Sequence, residues 1–302
     1  MDRAAEAGER LDRHLVRIGL APSRRTAKKM IASGMVRLNG AVADRECEPA
    51  SPGDRVEVIG TWELSIRIEP NPALPLKVLY EDAAVIVINK PGGMPCHPIR
   101  AGELECVMNA VAARFPETAT IGDKSHEGGL VHRLDNGTSG ALIIARTPEA
   151  YRALRAAISG GQVARRYEAL VEGAMDDAVK IDLPIAHHPR IGRKMTLGDP
   201  ASSIPKRAGR PAMTVIEPIR RVDEWTLVAA IPATGCRHQI RVHLASTGHP
   251  IVGDAQYGAQ PNEAFAGRRF WLHLCEVEFE SPAAGRIKVS APFSPGLKRF
   301  LN

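Results

Sequence analysis

Asp135 is the residue whose setting first suggests chemistry. It stands in VHRLDNGTSGALIIART, residues 131 to 147, among turn formers and directly before an apolar run. Asn136 and Gly137 accept a positive φ at little cost, Thr138 and Ser139 can bond back to the backbone, and residues 141–145 read as a buried strand. The carboxylate is therefore expected on a tight loop. By type alone an acid beside Asn-Gly is a turn residue; held charged in a dry pocket by a cation, it has the makings of a nucleophile or base. Other chemistries find little support. The five cysteines (Cys47, Cys96, Cys106, Cys236, Cys275) are widely spaced without a CxxC, so reduced thiols are expected rather than a disulfide framework or zinc knuckle. His187 and His188 are adjacent and His238 and His243 are wrongly spaced for one helical face, so no metal site is expected. There is no GxGxxG or Walker loop.

The run HRLDNGTSG resembles the nucleophile motif of the RluA family of pseudouridine synthases: His-Arg-Leu-Asp, two free positions, then Thr-Ser-Gly. Every fixed position matches, and Asp135 falls on the family's catalytic aspartate. PATGCRHQIRVHLASTGHPIVGDAQYG, residues 232 to 258, is similar to the second signature, Thr-Gly-Arg-x-His-Gln-Ile-Arg-x-His, tail included. The resemblance implies that Arg241 salt-bridges Asp135. It departs at one point, with Cys236 where the family has arginine and Arg237 one position later. A one-residue shift turns a helical side chain by about 100°, so Arg237 need not recover that contact, and Cys236 reads as a packed thiol. RRYEALVEG, residues 165 to 173, resembles the family's Lys-x-Tyr strand, with Arg165 in the lysine position and Tyr167 as the tyrosine that stacks on the target base. Taken alone, Arg241 reads as a surface-helix arginine and Tyr167 as a core aromatic. Substrate contacts are also expected of His132, Arg133 and Arg237. INKPGGMPCHP, residues 88 to 98, looks like the family's Lys-Pro-x-Gly loop, in which Lys90 reads as part of a turn rather than a phosphate contact, and Leu272-His273-Leu274 reads as structural.

The implied reaction isomerises uridine to pseudouridine with neither oxidation nor net hydrolysis, so no cofactor is expected. It needs an ionised carboxylate, a cation beside it and a way to hold the detached base. An adjacent arginine lowers an aspartate pKa by about 1 to 3 units, which predicts a charged Asp135 at neutral pH. Stacking on Tyr167 holds a flipped pyrimidine without fixing its in-plane rotation.

Two kinds of element must position these residues and bring RNA to them. At 302 residues, with 44% apolar and 25% charged, the chain can bury one large core or two. Net charge is +6 and pI about 9.2, favouring a polyanionic partner. Residues 1–58 differ in texture: between Arg10 and Arg37 eight basic residues face one acid, Asp12. Ser23 reads as an N-cap and Gly34 as a C-cap of a helix with Arg24, Arg25, Lys28 and Lys29 on one face and Ala27, Met30 and Ile31 on the other. Residues 35–40 read as a strand into an Asn39-Gly40 turn, and 52–58 as a turn into a strand. A basic helix face is by itself more often solvated than bound, but this order of parts resembles the small RNA-binding module named after a ribosomal protein, the S-four domain, over residues 9–58. It implies docking of the four basic residues on folded RNA.

Residues 59–75, with Trp62 and the prolines of PNPALP, read as a semi-rigid linker. Residues 76–302 read as the catalytic domain, with strands expected at 85–88, 141–145, 167–171, 227–231 and 272–279 and helices around 104–111 and 150–158. The expected fold is α+β: a small α/β module, a linker, and a mixed, mainly antiparallel sheet. The longest apolar run, residues 83–88, is far short of a membrane span, and the start has acids but no hydrophobic signal region. A cytoplasmic monomer is expected, acting on RNA of the large-subunit ribosomal kind, since the resemblance implies that members with this module act mostly there. Two rival readings are a non-catalytic ribosome-assembly factor on the same fold, and a hydrolase, for which Asp135 lacks a general acid and a water-activating partner.

Overall fold

The computed structural model describes residues 8–21, 23–51, 53–59, 67–100, 102–263 and 270–301. The chain divides into two compact units, 1–65 and 66–302.

In the smaller unit, helices Leu11–Arg17 and Arg24–Ala32 pack on strands Val36–Leu38, Ala41–Val42 and Val56–Val58. The Ser23 hydroxyl accepts the Thr26 amide at 3.2 Å, the N-cap expected there. Ala27, Met30 and Ile31 are buried against Leu11, Leu15 and Val36. Asn39 (φ 54°) and Gly40 (φ 84°) both turn left-handed, as a two-residue hairpin turn requires.

The larger unit is built on a nine-stranded sheet. Its order is Val179–Asp182, Met213–Val222, Trp225–Pro232, Ala164–Glu172, Leu272–Ser281, Ser139–Ala145, Val85–Lys90 and Val78–Glu81, with Gly285–Ser290 also paired to Leu272–Ser281. All pairings are antiparallel except the short one between Leu272–Ser281 and Ser139–Ala145. Ser139–Ala145 is buried along its whole length, which is why it reads as an uninterrupted apolar run. Gly140 is obligatory where it crosses its parallel neighbour: at φ +116° a Cβ would lie 2.2 Å from the Leu274 carbonyl. Helix Pro148–Ser159 starts with Thr147 accepting the Ala150 amide and Pro148 in its first turn.

Several expectations change. Of the segment read as a linker, Trp62 lies outside the described residues, while residues 67–75 are integrated in the larger unit. Ile68 is buried in its core, the Asn71 amide donates to Asn109 O at 2.9 Å, and the Asn109 side chain returns a bond to Glu69 O. Three prolines and one asparagine thus mark a packed segment, not a spacer. The expected helix at 104–111 begins only at Val107, because Cys106 and Asn109 form a capping box, leaving Leu104 exposed. Strand Met213–Val222 was hidden by Pro218, where the ladder shifts register, and by the exposed Arg220 and Arg221.

Candidate active site

Asp135 sits on the loop that enters Ser139–Ala145, and its carbonyl accepts the Thr138 amide at 3.0 Å. Asn136 and Gly137 do not use left-handed backbone, contrary to expectation. The loop is held from beneath. Lys90, fully buried at the end of Val85–Lys90, donates to the carbonyls of Thr138 (2.7 Å), Pro91 (2.9 Å) and Asn136 (3.2 Å), all three partners an ammonium can serve. Burial pulls the Lys90 pKa down to about 8, with the charge of Asp135 among the forces opposing the drop. The Lys-Pro loop is thus a prop for the loop that carries Asp135. His132 Nε2 accepts the Ile143 amide at 3.0 Å, and burial, reinforced by the charge of Arg165, brings its pKa down to about 3. A neutral His132 ring therefore fastens the loop to the strand. Arg133 is exposed and reaches His97 Nε2 at 3.2 Å.

Arg241 projects from helix Gln239–Ser246, whose N-cap residue His238 is left-handed at φ 55°, a strained conformation for a non-glycine residue. The guanidinium is 5% exposed and uses four of its five N–H donors. Nε and Nη2 clamp Asp254 in a two-pronged pair at 2.7 and 2.8 Å, Nη2 also donates to Gln256 Oε1 at 2.9 Å, and Nη1 donates to Asp135 Oδ2 at 3.0 Å. The rings of Phe270 and Tyr257 lie 4.4 and 4.8 Å from its central carbon. Burial opposes this cation, but hydrogen bonding to Asp254 and the charges of both aspartates hold its pKa above the usual arginine value. The second oxygen of Asp135 lies 3.8 Å from His238 Nε2. Burial lowers His238 to about 4, so at neutral pH this contact is not an ion pair. Its Nδ1 is 2.7 Å from the Tyr257 hydroxyl, which also accepts the Met195 amide at 2.9 Å.

Tyr167 lies on Ala164–Glu172 and is 8% exposed. Burial pushes its hydroxyl up to about 12; Arg165 opposes the rise and Asp135 adds to it. The phenol stays protonated at neutral pH, within electrostatic reach of Asp135. Cys236 packs against the small cluster of Ile185, Met195, Ala212 and Val242, its thiol pKa raised by burial. Arg237 stays exposed, donating to Arg193 O at 3.3 Å and lying 3.4 Å from His238 Nε2. His273 Nε2 donates to Ala291 O at 2.9 Å and its Nδ1 lies 2.7 Å from Ser139 Oγ, in keeping with a structural reading.

Of the residues singled out by sequence, Asp135 and Arg241 are in direct contact, Tyr167 adjoins them electrostatically, and Arg237 touches the site only through His238. Asp254, Gln256, His238, Tyr257 and Phe270 were not singled out. Asp254 and its neighbours were inside the recognised GHPIVGDAQYG tail, but a partner 13 residues beyond Arg241 follows no helical or strand period. On the basic helix of the smaller unit, Arg24 is paired with the fully buried Asp12 at 3.0 Å and Lys28 with Glu46, whereas Arg25 and Lys29 are exposed without an ion pair among the described residues. No group of three metal-ligating side chains occurs, and no helix is long and apolar enough to cross a membrane, among the described residues.

A family model described as RNA pseudouridylate synthase matches residues 84–246, and one described as S4 domain matches residues 9–56. The chain is 35% identical over 308 residues to the ribosomal large subunit pseudouridine synthase D of Xanthomonas campestris pv. campestris, covering 98% of this chain and 89% of that one. To the protein of the same name from Escherichia coli strain K12 it is 33% identical over 291 residues, covering 93% and 85%. The solved structure of human RNA pseudouridylate synthase domain containing 1 shares the fold, with a TM-score of 0.59, 24% identity, and coverage of 77% of this chain and 90% of that one. Since the family model spans over half of the sequence and these relatives nearly all of it, the chain belongs to the RNA pseudouridine synthases, isomerases that act on RNA, and carries an S4 domain ahead of the catalytic fold.

Proposed function

We propose that this enzyme converts specific uridines of large-subunit ribosomal RNA to pseudouridine, with Asp135 as the reacting carboxylate and without a cofactor. The observation that carries the reading is the contact between Asp135 Oδ2 and Arg241 Nη1, 3.0 Å, made by a guanidinium that Asp254 already holds in place. The substrate's identity comes from the relatives, which are named for the large ribosomal subunit.

The chemistry divides among few groups. The C1′–N1 bond breaks, the uracil turns, and C5 bonds to C1′; the hydrogen lost from C5 is balanced by one gained on the nitrogen that left the sugar. Asp135 offers one oxygen to the substrate while Arg241 occupies the other, an arrangement suited to a partly buried nucleophile or base. Tyr167 provides a neutral aromatic face for the flipped base. His132 positions the loop, and Arg133 and Arg237, both exposed, are candidate contacts for the RNA around the target uridine. The S4 domain supplies sequence-independent grip through Arg25 and Lys29, supplemented by Arg24 and Lys28. The enzyme is proposed to act as a monomer in the cytoplasm.

Carbodiimide mapping of ribosomal RNA from a deletion strain, complemented with wild type or Asp135→Asn, tests the reading. Loss of pseudouridine at one or a few positions, restored by wild type only, is expected. Residual turnover by Asp135→Asn within about tenfold of wild type, a barrier change of only about 1.4 kcal/mol, removes Asp135 from the chemistry.

A further inference from the structure

Arg165 is a buried arginine without a counter-charge. It is 9% exposed and has no ion pair among the described residues. Its one hydrogen bond runs from Nη2 to Thr234 O at 3.2 Å. Nε is shut off from solvent and has no partner, the sole such side-chain atom among the described residues. Buried charges are ordinarily paired, because desolvating a lone cation is costly, so an orphan of this kind needs a reason to persist.

Its position supplies the reason. Strand alternation puts Arg165 on the same face of Ala164–Glu172 as Tyr167, two residues on. Its charge acts on both Tyr167 and His132, and Asp135 acts on Tyr167 with the opposite sign. The anchor carbonyl of Thr234 belongs to the segment that leads into the Arg241 helix. The next residue is Gly235, where an added Cβ would lie 3.4 Å from Nη1, so glycine leaves that edge of the guanidinium uncovered. Arg241, by contrast, is largely committed: two aspartates and a glutamine take four of its five donors.

We infer that Arg165 is a further substrate-contacting residue, a preorganised cation that receives the negative charge collecting on the uracil ring as it leaves the ribose. The inference rests on the proposed isomerisation. When C1′–N1 breaks, its electron pair stays on the ring, spread over N1, O2 and O4, until C5 bonds to C1′ and the protons are exchanged; no oxidant or further reactant is involved. A buried guanidinium with unused N–H donors stabilises such an anion without reorganising. Arg241 has only one uncommitted donor while it holds Asp135, Asp254 and Gln256.

The test compares Arg165→Met, which keeps most of the volume and removes the charge, with Arg165→Lys, which keeps the charge. Single-turnover pseudouridine formation is followed at saturating concentration on a transcript spanning the uridine mapped in the deletion strain. Arg165→Met should slow the reaction by about 100-fold, the scale of losing one preorganised donor, and Arg165→Lys should recover it to within about tenfold of wild type. RNA affinity should change by less than about threefold, since phosphate contacts dominate it. The Tm of Arg165→Met should equal or exceed that of wild type, because an unpaired buried charge has been removed. A rate for Arg165→Met within about threefold of wild type overturns the inference. So does a lowered Tm with lost activity that lysine does not rescue, which marks a structural strut. Failure of the wild type to form pseudouridine overturns the proposed function itself, whereas an active wild type beside an equally active Arg165→Met overturns only the role of Arg165.

Discussion

The two arginine-rich regions of this protein use the same side chain in opposite ways. In the catalytic unit Arg241 is buried and committed, with donors on Asp254, Gln256 and Asp135. On the helix Arg24–Ala32 the cations lie at the surface; two are paired within the protein and two are open. The first arrangement holds one oxygen of one carboxylate at a defined place. The second gives attraction that depends on salt and tolerates many geometries. Chemistry and capture therefore ask for different things from arginine: neutralised, immobile charge in one place and surplus, mobile charge in the other.

The largest effect is expected at Arg241. Arg241→Met leaves Asp254, 2% exposed, as a buried carboxylate without its counter-charge, which should cost about 3 to 5 kcal/mol of stability in urea unfolding together with nearly all activity. Adding Asp254→Leu should restore much of the stability and none of the activity. A double variant no more stable than the single one means that the pair is not the source of the loss.

Lys90 comes next and carries a pH signature. Its folded pKa of about 8 lies below the ordinary 10.5, so below pH 8 both folded and unfolded chains hold the proton and the native state bears the full cost of the buried charge. Between pH 8 and 10.5 the unfolded chain binds more protons, and stability rises with pH by up to about 3 kcal/mol from this group. The stability difference between wild type and Lys90→Met should therefore shift in favour of wild type by about 2 kcal/mol between pH 8 and pH 10. Parallel profiles for the two proteins mean that the ammonium is not the strained group. Activity of Lys90→Met should fall as well, since two carbonyls of the Asp135 loop and that of Pro91 lose their common donor.

Tyr167 separates stacking from its hydroxyl. Tyr167→Phe keeps the aromatic face, while Tyr167→Ala should weaken binding of a flipped base by about 1 to 3 kcal/mol, read as RNA affinity on a transcript carrying the target uridine. Equal behaviour of the two variants assigns the ring to the core alone.

The sequence was informative where chemistry and local backbone coincide. Asp135, Tyr167 and Arg241 lie in short runs that carry the family resemblance, and the five expected strands each exist where apolar and β-branched residues run on or alternate with polar ones. What sequence did not show was how the pieces are braced. Asp254 meets Arg241 through a turn rather than a periodic element, Lys90 looks like any turn lysine until the loop closes over it, and His238 takes a left-handed conformation that no periodicity in the segment marks. The basic helix was misjudged in the same sense. Its face is as expected, but Asp12, the lone acid in the segment, is buried and binds Arg10 and Arg24 strongly enough to lower its own pKa despite the burial that opposes this.

That last pairing sets the smallest effect and makes it quantitative. Were all four helix cations free to neutralise phosphates, replacing them by alanine would flatten the slope of log affinity against log salt by about 3 to 4 units. With Arg24 held by Asp12 and Lys28 by Glu46, only Arg25 and Lys29 are available without breaking an internal pair. Arg25→Ala with Lys29→Ala should flatten the slope by about 1.4 to 1.8 units, and the further changes at Arg24 and Lys28 should add less than one unit while lowering the stability of the S4 domain. The measurement is RNA affinity across a salt series, with urea unfolding of each variant. An equal contribution from all four residues shows that Asp12 and Glu46 release their partners to RNA, and an unchanged slope for Arg25→Ala with Lys29→Ala shows that this face does not meet phosphate.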